Sequence, residues 1–327
     1  LLISPRKQEH HYVGYSVIRP VKERCLGHTV IDPFTLRNID QNKFYCLRTD
    51  FQVHIGGRRF KVNGFPYISQ DGDVTVCAHS ALWGLCRYLS ERYSIYKETY
   101  PFDLVKLTET GSDRVFPYRG MTYSDYCKIL TEFGTYPVIL RLKDRYTDTN
   151  QDTEEFRSLC TYIESGFPIL ASYHGHVVTL MGHTIDYDKK LEGEDGFIDS
   201  SSFLKQFVVI DDNLFPYQLL GYKHDPENYG DYYPQQYSIN SIVVAVCPLP
   251  EKVFLPAGKA REHALAYVNG LGSLIQATGI SPFVTRLFLT TNQAFKRRKL
   301  EKVNVCGNFD KISYFVSQFN LPHFIWV

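Results

Sequence analysis

Apolar positions recur at three- and four-residue spacing from Cys77 onward. Leu82, Leu85, Cys86, Leu89 and Tyr93 mark the stripe of a helix packed on a core. Thr122, just after Gly120 and Met121, is an N-cap for a second helix that stops at Gly134. A third helix runs over residues 152–165 and ends at Gly166. Residues 137–142, 168–173, 176–181, 207–210 and 242–247 are short apolar runs of strand length. Upstream, residues 12–19 form a strand ended by Pro20. Residues 51–55 and 58–62 form a hairpin whose Gly56–Gly57 turn needs positive φ. Downstream lie a helix over residues 259–278, a strand over 285–290, a basic helix over 292–300 and a terminal L-P-H-F-I-W-V apolar enough to dock as a strand.

Helices followed by a run of strands imply an α+β fold, with helices packed on one side of an antiparallel sheet. The expected organisation is a β-rich N-terminal extension (1–66), a core (67–250) and a mixed α/β C-terminal extension (251–327). Residues 214–238 form a Tyr- and Pro-rich irregular stretch, and loops of that length are often functional.

At 327 residues, 44% apolar and 22% charged, the chain has the composition of a soluble globular protein able to bury a substantial core. Plentiful Tyr (24) and Phe (22) favour strands and lined clefts over coiled coils. A net charge of +1 argues against a nucleic-acid partner, and the basic run Lys296–Lys299 reads as a solvated face. No apolar stretch is long enough to cross a bilayer. The opening L-L-I-S-P-R-K becomes charged too early for a signal peptide. It lacks an initiating Met, as expected of a segment of a longer protein. The eight cysteines form no C-x-x-C pair, which points to free thiols in a reducing, cytoplasmic setting.

Candidate chemistry gathers at four places. Cys77 opens the first helix, where unpaired backbone N–H groups and the helix dipole favour an anion. Cys86, on the apolar stripe of the same helix, is the structural contrast. His176 follows Gly175 and opens an apolar strand, so its ring can project at the strand mouth. His174, sharing a face with it at period two, and His183 are rivals. H-x-H with Asp186 or Asp188 also resembles a metal pattern, but no further ligand completes it, and neither metal nor cofactor is expected. Asp211 and Asp212 both follow the F-V-V-I strand, and alternation alone leaves open which of them faces the histidine. Gln70 lies seven residues before Cys77 on the loop into the helix, where its amide can join the Cys77 N–H as an oxyanion donor.

Taken together, Q-D-G-D-V-T-V-C, G-H-V-V-T-L-M and F-V-V-I-D-D-N resemble papain-like cysteine peptidases. The flavour is closest to the bacterial thiol proteases that cleave double-glycine leader peptides. The resemblance spans about residues 67–250 and implies a papain-like core. It also implies roles: Cys77 as nucleophile, His176 as base, Gln70 in the oxyanion hole, and Asp212 as the orienting acid with Asp211 second. Three features depart from the pattern. The Gln-to-Cys gap is one residue longer than in papain, Ala78 stands where papain has an aromatic, and nothing crosses a membrane. The expected activity is hydrolysis of a peptide or isopeptide bond in a protein or peptide substrate. Acyl transfer to an amine, deamidation, or a catalytically silent binding module are the alternatives.

Overall fold

The structure, a computed structural model, describes residues 12–21, 24–35, 44–70, 77–108, 121–142, 153–173, 175–189, 197–222, 237–272, 283–304, 313–314 and 316–327. His174, Cys306, residues 71–76 and most of the 214–238 stretch lie outside these residues.

Among the described residues the fold is α+β. The strands are β1 (Gly14–Ile18), β2 (Leu26–Ile31), β3 (Phe44–Cys46), β4 (Thr49–Ile55), β5 (Arg58–Tyr67), β6 (Thr135–Arg141), β7 (Ile169–Tyr173), β8 (His176–Ile185), β9 (Phe197–Asp199), β10 (Leu204–Ile210), β11 (Gln218–Leu220), β12 (Val244–Pro250), β13 (Phe283–Thr285), β14 (Leu289–Thr291) and β15 (Phe324–Trp326). The helices are α1 (Cys77–Arg92), α2 (Pro101–Thr108), α3 (Tyr123–Glu132), α4 (Glu154–Glu164), α5 (Ala257–Gly270) and α6 (Asn292–Asn304).

A seven-stranded sheet in the order β11-β10-β8-β7-β12-β6, with β3 paired to the far part of β8, forms the centre, and all its pairings are antiparallel. Strands β7 and β12 are buried at every position, as is β8 up to His183. Covered strands read as continuous apolar runs rather than alternating ones, as seen in the sequence. A second sheet, β1-β2-β5-β4, is also antiparallel. The β4–β5 turn has Gly56 and Gly57 at φ 56° and 76°.

Helix α1 packs on β7 and β8 of the large sheet and on β4 and β5 of the small one. Eleven of its residues are buried, so the expected one-sided stripe is in fact an almost completely covered helix. The small sheet shares the main core: Phe65 and Tyr67 cluster with Leu82, Leu85 and Tyr88. The Phe65 and Tyr88 rings stack at 5.1 Å, and His28 meets Trp83 edge-on at 5.0 Å. Tyr217 adds a polar tie, donating to Ile31 O at 2.6 Å and accepting from Phe65 N–H at 2.9 Å.

Helix termini follow the local chemistry. Thr122 and Asp125 form a capping box at α3, with Asp125 Oδ2 accepting from Thr122 N–H at 2.7 Å. Thr153 caps α4. In the C-terminal part the expected strand over residues 285–290 divides, because the chain changes partner within it. β13 pairs with β9, while β14 pairs with the terminal β15. The expected 259–278 helix is α5, Ala257–Gly270, and residues past 272 lie outside the described ones. No helix among the described residues is long and apolar enough to cross a membrane.

Candidate active site

The topology converges on the mouth of the large sheet. Cys77 is the first residue of α1 and His176 the first of β8, two elements packed on one another. His176 is delivered by a tight β7–β8 connection in which Tyr173 pairs with His176 and Gly175 adopts φ +84°. An L side chain there would be strained although it would meet no atom, so the glycine serves the turn itself. Asp211 directly follows β10, the strand beside β8.

Cys77 and His176 line one cleft of about 500 Å³ with Met121, Thr122, Tyr123 and Tyr126. The thiol is within side-chain hydrogen-bonding reach of the imidazole. His176 Nε2 donates to Asp211 Oδ1 at 3.0 Å, which leaves Nδ1 as the ring nitrogen not engaged by the acid. The carboxylate expected from Asp212 therefore comes from its neighbour. Continuing the β8–β10 register from Ile210 opposite Thr179 sets Asp211 opposite Val178, on the face that His176 shares at period two. Asp212, one residue further past the strand end, also brings a carboxylate oxygen within 4.8 Å of the His176 and Asp211 donor atoms.

Burial pulls the His176 pKa down, but hydrogen bonds to Asp211 and Cys77 and the charges of both prevail, raising it to about 10. The Tyr237 ring stacks on the imidazole with centroids 5.3 Å apart and itself rests on Tyr173 at 4.8 Å. Asp212 is 5% exposed, and neither carboxylate oxygen has a hydrogen-bond partner among the described residues. Burial, then repulsion from Asp211, raises its pKa to about 7.

Gln70 reaches the site from a different side than expected. It is absent from the cleft lining, and its amide donates to Asn213 Oδ1. Asn213 N–H in turn donates to Asp211 Oδ1 at 3.0 Å, so Gln70 braces the acid through Asn213. Of the rivals, His183 lies seven residues along β8, bonded to Glu164 at 3.1 Å and stacked on Tyr45. Asp186 and Asp188 lie in the turn beyond that end of β8, so they do not join His176. Asn213 and Tyr237 are the site residues that sequence reasoning missed. The D-D-N run held a trace of the first, and the Tyr- and Pro-rich stretch 214–238 contains the second without singling it out. The described cysteines are free thiols, with Cys86, Cys160 and Cys247 buried. No family model, curated protein or solved structure matches the chain.

Proposed function

We propose that this chain is a cysteine hydrolase with a papain-like core, acting on peptide or isopeptide bonds. The observation that carries the reading is the cleft shared by a helix-opening Cys77 and a His176 whose far nitrogen is held by Asp211 at 3.0 Å. A hydrogen-bonded nucleophile, base and orienting acid is the arrangement covalent acyl chemistry needs. The His176 imidazolium supports a Cys77 thiolate. The thiolate adds to the substrate carbonyl carbon, and the oxyanion meets the Cys77 N–H at the open first turn of α1. As the C–N bond breaks, His176 Nδ1 gives its proton to the leaving amine. Water then attacks the thioester while His176 takes a proton, releasing acid and thiol.

The test begins with limiting iodoacetamide below neutral pH, followed by peptide mapping. Rapid labelling confined to Cys77, abolished by His176→Ala, is the expected result. Labelling no faster than at Cys25 or Cys127 would leave a silent binding module instead. A peptide library screened with a labelled amine present then reads the fate of the acyl group. Free acid is expected; the amine in the product would make the chain an acyltransferase.

A further inference from the structure

The triad as drawn uses one carboxylate, yet two are buried beside the imidazole. The donor atoms of His176, Asp211 and Asp212 all lie within 4.8 Å of one another, and the three residues are 8%, 2% and 5% exposed. Asp211 is occupied by His176 and by the Asn213 N–H. Asp212 is a sealed carboxylate with no hydrogen-bond partner among the described residues. A buried anion without a partner is costly, and the remedies are protonation, toward which burial and Asp211 push this carboxyl, a hydrogen-bond donor or a cation. No Lys or Arg side chain pairs with it in the described structure.

We propose that His176 Nε2, Asp211 and Asp212 form a binding site for one divalent transition-metal ion, Zn²⁺ foremost. Metal–ligand distances of about 2.0–2.2 Å for nitrogen and carboxylate donors ask for donor separations of roughly 3–4 Å, which small side-chain rotations give. One imidazole with two carboxylates suits a borderline ion better than Mg²⁺ or Ca²⁺, and the set contains no thiolate to favour Cu⁺. Supporting contacts stand behind the donors: Gln70 on Asn213, Asn213 on Asp211, and Tyr237 against the His176 ring. Such partners fix ligand orientation in metal centres.

On binding, the ion replaces the Nε2 proton, which leaves to solvent, and separates the imidazole from Asp211. Metal occupancy and thiol chemistry then exclude one another, so the ion acts as a reversible inhibitor. This last consequence rests on the hydrolase reading; the site itself does not.

Chelator-treated Cys77→Ala protein, titrated calorimetrically with Zn²⁺, tests the site without the nucleophile. One ion per chain is expected, with visible ligand-field bands when Co²⁺ is the probe. Asp212→Asn, isosteric and in the same background, is expected to weaken binding at least ~10-fold with the circular dichroism unchanged. Cys127→Ser is expected to change nothing. Absence of binding at millimolar Zn²⁺, or equal binding by Asp212→Asn, would overturn the proposal. Binding by a protein whose Cys77 shows no selective alkylation would sink the hydrolase reading and leave the metal site standing.

Discussion

Asp211 and Asp212 are adjacent carboxylates, both buried, yet only one holds the histidine. Their chemistry is identical in the sequence, and what separates them is strand register. The β8–β10 pairing shifts between Val208 and Val209, and each one-residue shift reverses which side chains share a face. That irregularity has no signature in the residues themselves, so the sequence located the pair and could not choose within it. Cys77 was legible because a helix start is a local property. Tyr237, brought to His176 by folding alone, was not. Asp211→Asn is therefore expected to lower kcat/KM by about 10²–10⁴-fold, as loss of an orienting acid does. Asp212→Asn in metal-free buffer should stay within about tenfold of the parent. Side-by-side kinetics of the two variants on a cleaved peptide check this, and equal losses would count against the assignment.

Elements with strong local signals came out close to expectation: the α3 capping box, the Gly56–Gly57 hairpin, and the apolar runs of β7, β8 and β12. Those lacking one were missed, namely β2, β3, β9, α2 and β11, the last a strand paired with β10 inside the stretch 214–238 read as irregular. β3 is three residues long and exists because β8 offers it a partner. β2 carries His28 into the joint between the small sheet and α1, against Trp83 and Phe51, with Tyr15 hydroxyl 3.0 Å from Nε2. Burial first, and then the Arg87 charge, lower the His28 pKa to about 4. The unfolded chain takes up this proton near pH 6.5 and the folded one only near pH 4. Stability is thus fully present above pH 6.5 and falls as pH drops through that window, by up to ~3 kcal/mol from this group. Chemical denaturation of His28→Phe from pH 7 to 4 should show a smaller acid-side loss than the parent. Parallel curves would refute the attribution.

Across the whole molecule, residues far apart in sequence complete one core, as the Tyr217–Ile31 bond shows across 186 positions. The expected boundary near residue 66 separates a β-rich stretch from the resemblance at 67–250, while the packing runs straight through it, with Phe65 and Tyr67 in one cluster. Composition reports what a segment is made of; it says nothing about which distant surface covers it. The C-terminal part is tied in by Arg261 on α5, a 5% exposed side chain. It bonds Glu154, Asp199 at 3.0 Å, Thr161 Oγ1 at 2.5 Å and the Arg157 carbonyl at 3.2 Å. Arg261→Met should cost about 3 kcal/mol, because Asp199 would be left without its cation. Arg261→Lys should lose nearly as much, since one ammonium cannot span the same fork. Urea midpoints of both variants measure this.

The burial of α1 between two sheets also has a kinetic side. Its interior amides, from Leu82 to Leu89, are hydrogen-bonded and shielded on both sides, so they can exchange with deuterium only when the whole molecule opens. The N–H groups of Cys77 and Ala78 precede the i→i−4 ladder of the helix and should exchange many orders of magnitude faster. One helix would then show both extremes of protection a few residues apart: a mount that does not move, ending in amides that stay open to whatever enters the cleft.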